Sequence, residues 1–379
     1  MVSAQLIISD SEHDADMLYI SKMFVPDAFI AVGIKGEGNW HGLFSPLEVD
    51  RAKKDSAFDE VHLDTTWREK AEKHGWSLGL ASIAAAFLKE HGVTDIEVPG
   101  SFPLMYADQL RALGFQLTAK CGTLFPQRSI KSDQEIEQLA RAELLTKQSM
   151  IQAERFLAAC SIGNDYILRH PDDDKLKVKS KHVRAAIETF LIAEGAMPAH
   201  TIVACGQEAA DPHNTGSGFI YAHKAIIIDI FPRLLDSGYW GDMTRSYVKG
   251  KAPAKLKKMY QTVREGQDIG LDKIAHGVHG ADIHQAILDH FDQQGFKTGM
   301  KEGQQRGFFH GTGHGVGLQI HESPRISSRD DILQSKQVVT VEPGLYYPEL
   351  GGIRLEDMVV VQEKGCDNLT QHPRNFEIL

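Results

Sequence analysis

The chain has 379 residues, of which 42% are hydrophobic and 24% charged, and its formal net charge is −10. That length exceeds one typical core and sets an expectation of two domains. The acidic balance, with no basic arm to offset it, argues against a general nucleic-acid binder, and no stretch is apolar and long enough to suggest a membrane span.

In chain order, Met1 to Asp10 (MVSAQLIISD) lacks the basic start, long apolar run and small-residue cleavage site of a secretory signal, so the cytoplasm is the expected compartment. Ala28 to Ile34 (AFIAVGI) predicts a strand, Trp76 to Gly92 an amphipathic helix closed by Gly92, and Asp95 to Gly100 the next strand. This alternation predicts an α/β domain over 1–127. Ser132 followed by Glu135 makes a capping box for a long helix reaching Cys160, and the second domain, 128–379, begins just ahead of it. Cys121, Cys160, Cys205 and Cys366 are scattered without a C-x-x-C pair, so they are expected to be reduced and mostly buried.

The second domain carries a faint internal repeat. Lys181 to Met197 and Ala281 to Lys297 match at Ala186/Ala286, Ile187/Ile287 and Gly195/Gly295, each pair 100 residues apart. Both segments predict a helix ended by a glycine, and together they suggest two related half-domains with a site between them.

Strand-like segments of this domain hold carboxylates where a half-buried strand should be apolar. Ala225 to Phe231 (AIIIDIF) ends its apolar run on Asp229, and Tyr239 to Val248 (YWGDMTRSYV) carries Asp242 after a turn, which predicts the two aspartates on adjacent strands of a hairpin. Phe308 to Pro324 (FFHGTGHGVGLQIHESP) sets His310, His314 and His321 in a glycine-rich segment, as ligands, catalytic groups or ordinary loop residues. Val338 to Gly344 (VVTVEPG) holds Glu342. Gly351 to Val361 (GGIRLEDMVVV), read as one strand, puts Glu356 and Arg354 on one face and Asp357 on the other.

Buried carboxylates require a salt bridge, a raised pKa or a metal ion. Each alone is more ordinary as a solvated or arginine-paired acid. The set of four is different, because two divalent cations neutralise all four charges and one neutral imidazole completes the shell. Hard oxygen ligands with a single nitrogen suit manganese, cobalt or zinc.

The order Asp229, Asp242, HGTGHGVG, TVEPGLY and GGIRLED resembles the metal-binding series of the pita-bread metallopeptidases, which include aminopeptidase P, prolidase and methionine aminopeptidase. The resemblance runs from about Arg128 to the C-terminus. It implies an α+β chain, with a C-terminal pita-bread domain of pseudo-two-fold halves preceded by a smaller α/β domain. It further implies two divalent metal ions (Mn, Co or Zn): Asp229 on the first, Asp242 and Glu356 bridging, His314 and Glu342 on the second. Glu342 would shuttle a proton, while His321, His213, His310 and Arg354 would position substrate and stabilise the tetrahedral intermediate. Three features depart from the usual family pattern: twelve residues separate the aspartates instead of ten, Ser335-Lys336 stands where Pro-Gly is common, and the segment around His213 (ADPHNTGSG) lacks the aromatic that often follows this histidine.

The implied reaction is hydrolysis of the peptide bond preceding proline in short peptides, of Xaa-Pro dipeptidase or aminopeptidase P type, because the long N-terminal α/β domain resembles theirs. Arg325 and Arg329 are candidates to read the free carboxylate of a dipeptide, or are simply surface arginines. A hydrolase of a small non-peptide amide and a non-catalytic binding protein on the same fold are the alternatives. The resemblance also implies a homodimer.

Overall fold

A computed structural model describes residues 2–36, 38–329 and 331–379 and divides into two units, Met1–Arg128 and Ser129–Leu379. In the first unit, six strands form a mixed sheet in the order Glu60–Leu63, Trp40–Phe44, Phe29–Ile34, Val2–Ser9, Val93–Pro99, Gln116–Lys120. The period-two rule explains why both faces are covered: Leu6 and Ile8 enter one apolar cluster, whereas Ile7 between them enters another with Phe29 and Phe44. The predicted helix begins at Leu80 rather than Trp76 and runs to Glu90, with Gly92 in the left-handed conformation just beyond it.

The second unit opens with the long helix Asp133–Ala159. Ser132 accepts from the Glu135 backbone N–H, and the Glu135 side chain returns to the Ser132 N–H, which completes the capping box. This helix packs with Ser180–Ala193 over the sheet Ile202–Cys205, Ile226–Ile230, Met243–Lys249 and Glu377–Ile378. A second helix pair, Ala254–Lys273 and Gly280–Gln293, packs over the sheet Glu322–Ile326, Gly313–Gly315, Val338–Val341, Asp357–Val361 and Cys366–Asn368. The shorter helices start and stop 100 residues apart, and Gly195 and Gly295 end both with positive φ.

Alternation along the strands decides what each half sends inward. Ile226, Ile228 and Ile230 are buried against the helices of the first half, and each such side chain contributes about 1.5–3 kcal/mol. Ile227 and Asp229 therefore share the opposite face, where Ile227 meets Ile202 and Tyr346. That apolar anchoring offsets the cost of an acidic group on the same strand.

Three sequence expectations change in detail. The segment Gly351 to Val361 is two strands, because Gly351–Arg354 pairs with Gly344–Tyr347 in its own hairpin while Asp357–Val361 joins the five-stranded sheet. Arg354 and Glu356 thus flank a change of partner rather than share one strand. Asp242 lies one residue before its strand and Glu342 one residue after its own, so both sit at strand ends. Of the cysteines, all free, only Cys160 and Cys205 are buried; Cys366 is half-buried and Cys121 exposed.

Candidate active site

Asp229 and the strand carrying Thr244 pair antiparallel in register, which brings Asp229 beside Asp242 at the start of that strand. Gly241 holds this start against the long helix: a Cβ there would lie 2.3 Å from Thr146 Oγ1 and 2.8 Å from the Ala142 carbonyl. The Asp242 backbone N–H donates to Glu143 Oε2 at 2.9 Å, fixing the same point from the helix side. From the other half, Gly313 lets the histidine strand lie close to its neighbour, since a Cβ would meet Thr340 O at 1.9 Å. His314 N then donates to Thr340 Oγ1 at 3.2 Å, and Glu342 N donates to Thr312 O at 2.7 Å.

The result is one cavity of about 700 Å³ lined by Asp229, Asp242, His314, Glu342 and Glu356 together with His213, His310, His321 and Arg354. Arg325 and Arg329 also line it, and Phe231, Phe309, Ile202 and Ile320 supply apolar wall. Asp242, His314 and Glu356 are buried, with ligand atoms mutually within 4.8 Å. His314 Nε2 lies 3.6 Å from Asp242 Oδ2 and 3.5 Å from Glu342 Oε1.

These separations are not salt bridges. Burial, reinforced by His321, pushes the His314 pKa down to about 3, so the ring is neutral. Its Nδ1 faces the Gly315 carbonyl at 3.2 Å, and a carbonyl only accepts, which assigns the proton to Nδ1. Nε2 therefore presents a lone pair to two carboxylates. Burial and then the neighbouring Glu356 and Asp229 push the Asp242 pKa well up, burial and then Glu342 do the same to Glu356, and burial moves Glu342 up to about 7. Asp229 Oδ1 is buried with no hydrogen-bond partner. Converging lone pairs, mutually opposed acids and an orphaned carboxylate oxygen fit divalent cations: they supply the missing positive charge, and the Gly315 carbonyl orients the imidazole as an outer partner of a ligand would.

Arg354 joins the wall through a dense set of bonds. Nη2 donates to Asp229 Oδ2 at 2.5 Å, Nε to Thr244 Oγ1 at 3.1 Å, and Nη1 to Tyr346 Oη at 3.0 Å and Pro212 O at 3.2 Å. His310 is held on both nitrogens. Nδ1 donates to Gly311 O at 2.8 Å, and the ring is neutral because burial, then Arg354, pushes its pKa to about 3. Nε2 then accepts from Tyr346 Oη at 2.9 Å. His321 stands edge-on to His314, with ring centroids 4.4 Å apart at 88°, and is exposed to the cavity, as is His213. Tyr346 and Thr244 are the residues that sequence reasoning passed over: Thr244 Oγ1 donates to Glu356 Oε2 at 2.7 Å, and Tyr346 links Arg354 to His310.

Residues 137–363 match the family model of metallopeptidase family M24. The chain is 30% identical over 330 residues to an uncharacterized peptidase, YqhT, of Bacillus subtilis, covering 80% of this chain and 90% of the relative. It is 31% identical over 222 residues to an Xaa-Pro dipeptidase of Pyrococcus furiosus, covering 58% of this chain and 61% of that protein. Among solved structures, an Xaa-Pro dipeptidase from Bacillus anthracis superposes with a TM-score of 0.82 at 24% identity, over 99% of this chain and 95% of that one. An X-Pro aminopeptidase from Thermotoga maritima gives 0.81 at 23%, over 99% and 97%. The fold is the pita-bread fold, and the chain belongs to metallopeptidase family M24.

Proposed function

We propose that this peptidase hydrolyses the bond preceding proline in short peptides, with Xaa-Pro dipeptides as its preferred class, on two divalent cations held by Asp229, Asp242, His314, Glu342 and Glu356. The observation that carries the reading is the convergence of Asp242, Glu342 and Glu356 on one neutral imidazole lone pair, that of His314, in a cavity that Asp229 also lines. Following the family resemblance, Asp242 and Glu356 would help to hold both ions, Asp229 would help to hold one, and His314 with Glu342 the other. A carboxylate-rich set suits manganese first among manganese, cobalt and zinc. Bound divalent cations supply Lewis acidity and lower the pKa of water from ~15.7 toward ~7.

The chain's own residues do the rest. Glu342, mostly buried but with part of its side chain open to the cavity, takes and returns a proton at its carboxylate. His321 and His213 present ring N–H groups to the developing oxyanion. His310, engaged on both nitrogens, acts as a fixed wall that holds Tyr346 and, through it, Arg354. Arg325 has no carboxylate within 4.0 Å among the described residues, and with Arg329 it offers a cation to the free carboxylate of a dipeptide. A homodimer, common among family members, is part of the proposal. The test is a panel of Xaa-Pro dipeptides and Xaa-Pro-Xaa tripeptides with Mn²⁺, Co²⁺ and Zn²⁺ in turn. Preferential dipeptide cleavage that Arg325→Ala abolishes supports the reading; hydrolysis of non-peptide amides alone contradicts it.

A further inference from the structure

A second group of metal-type side chains lies in the unit Met1–Arg128, and the chemistry above makes no use of it. The parallel strands Trp40–Phe44 and Glu60–Leu63 pair His41 with Glu60 and Leu43 with His62 in register. Residues two apart on a strand share a face, so His41, Glu60 and His62 meet on one side of the sheet at its edge strand. Three atoms converge there: His41 Nδ1 lies 3.2 Å from His62 Nε2 and 3.7 Å from Glu60 Oε2, and His62 Nε2 lies 3.6 Å from the same oxygen.

The imidazole separation alone suits a hydrogen bond between the rings. The two carboxylate separations are too long for hydrogen bonds. All three lengths suit atoms that share a cation: the point equidistant from the corners of this triangle is about 2.0 Å from each, matching Zn–N and Zn–O bonds of about 2.0–2.2 Å. Side-chain exposure rises from 4% at His41 through 26% at His62 to 52% at Glu60, which gives an entry path from solvent to a buried imidazole. Phe87 packs on both rings, with centroids 5.2 Å from His41 and 5.4 Å from His62, and restricts their rotation. His91 stacks on Phe87 and uses its Nδ1 on the Phe87 carbonyl at 2.9 Å, so it lies beside the triangle rather than in it.

We propose that His41, His62 and Glu60 bind one divalent transition-metal ion, zinc by donor type, as a clip between the edge strand Glu60–Leu63 and its neighbour. Two nitrogens and one oxygen make a softer set than the oxygen-rich cavity, so the two places differ in metal preference. A fourth position is left for water.

The test counts zinc in the full chain after loading with Zn²⁺ and gel filtration, for wild type, His62→Ala and Glu60→Gln. Wild type is expected to retain one ion per chain more than His62→Ala. Glu60→Gln, a change at an exposed side chain, is expected to weaken that ion by at least about tenfold, the effect even of an outer-shell change. Equal zinc content in wild type and a folded His62→Ala protein overturns the proposal. Should His62→Ala fail to fold, Glu60→Gln decides, and unchanged zinc affinity in it is equally fatal.

Discussion

Glu356 and Asp357 are adjacent in sequence and both are almost fully buried, yet they belong to opposite kinds of region. Asp357 is satisfied on both oxygens: Oδ1 accepts from Arg245 Nη2 at 2.8 Å and Oδ2 from Asn368 Nδ2 at 2.7 Å. Arg245 in turn uses all five of its donors, on Asp357 and on the carbonyls of Thr244, Glu356, His372 and Pro373. The Glu356 carboxylate accepts one hydrogen bond among the described residues, from Thr244, and burial and the charges of Glu342 and Asp229 outweigh the Arg354 cation near it, so its pKa is pushed well up. Burial of charge therefore does not mark the site. What marks it is burial of charge left incomplete, because a scaffold acid has no reason to tolerate that cost.

Removing either acid should have a large effect, of a different kind for each. Glu356→Ala should lower Xaa-Pro hydrolysis beyond the ~10⁴-fold upper end for a lost proton-transfer group and remove metal. Asp357→Ala should instead leave Arg245 unpaired and cost about 3–5 kcal/mol in urea unfolding, with metal content per folded chain retained. Metal loss from folded Asp357→Ala would erase the distinction. His321→Ala, next in size, should cost about 10²- to 10³-fold in turnover with metal content intact, as expected of an oxyanion donor rather than a ligand.

Glu342 in the site and Glu154 on the scaffold give stability opposite slopes with pH. In metal-free protein Glu342 has a folded pKa of about 7 against an ordinary 4.5, so between those values the folded state holds a proton that the unfolded state releases. Stability should then fall as pH rises through that window, by an amount on the order of 3 kcal/mol. Glu154, on the scaffold, is raised by burial but lowered more by hydrogen bonds from His372 and Tyr247, and its net pKa lies below 4.5. Its contribution is present above that value and is lost as pH falls. Urea midpoints across pH, with chelator and with Mn²⁺, separate the two: saturation with metal should reduce the first slope, leaving the part that buried Glu143, raised to about 8, contributes, and leave the second unchanged.

A slighter change is expected at Lys336, which adopts a positive φ of 66°, a conformation that glycine takes without strain. Lys336→Gly should stabilise by less than about 1 kcal/mol, since relief of the left-handed penalty is partly offset by glycine's entropy and by loss of the exposed pair with Asp133. A shift of urea midpoint upward without change in hydrolysis is the expected result.

How much of this was readable beforehand follows from the range of the interactions. The Ser132–Glu135 capping box, the glycine ends at Gly195 and Gly295, and the placement of Asp357 on the face away from Glu356 are local or period-two properties, and pattern alone carries them. The break at Leu355–Glu356 is not local, because it arises when one strand pairs with Gly344–Tyr347 and the next with Val338–Val341. Tyr346 was invisible for a similar reason. In GLYY it reads as an apolar strand residue, and only the fold brings its hydroxyl between Arg354 and His310. The acids themselves were legible because four of them interrupt apolar strands; their partners, Thr244 and Glu143, look like ordinary strand and helix residues until the chain closes.

If the incompletely paired acids hold a pair of catalytic cations, a manganese titration of chelator-stripped protein against Ala-Pro will show it. Hydrolysis of Ala-Pro, but not of Ala-Ala, should return as two Mn²⁺ ions per chain are bound, and Glu356→Ala should bind neither. Two bound Mn²⁺ ions with no hydrolysis of any Xaa-Pro peptide, or full hydrolysis in the stripped protein, would contradict it.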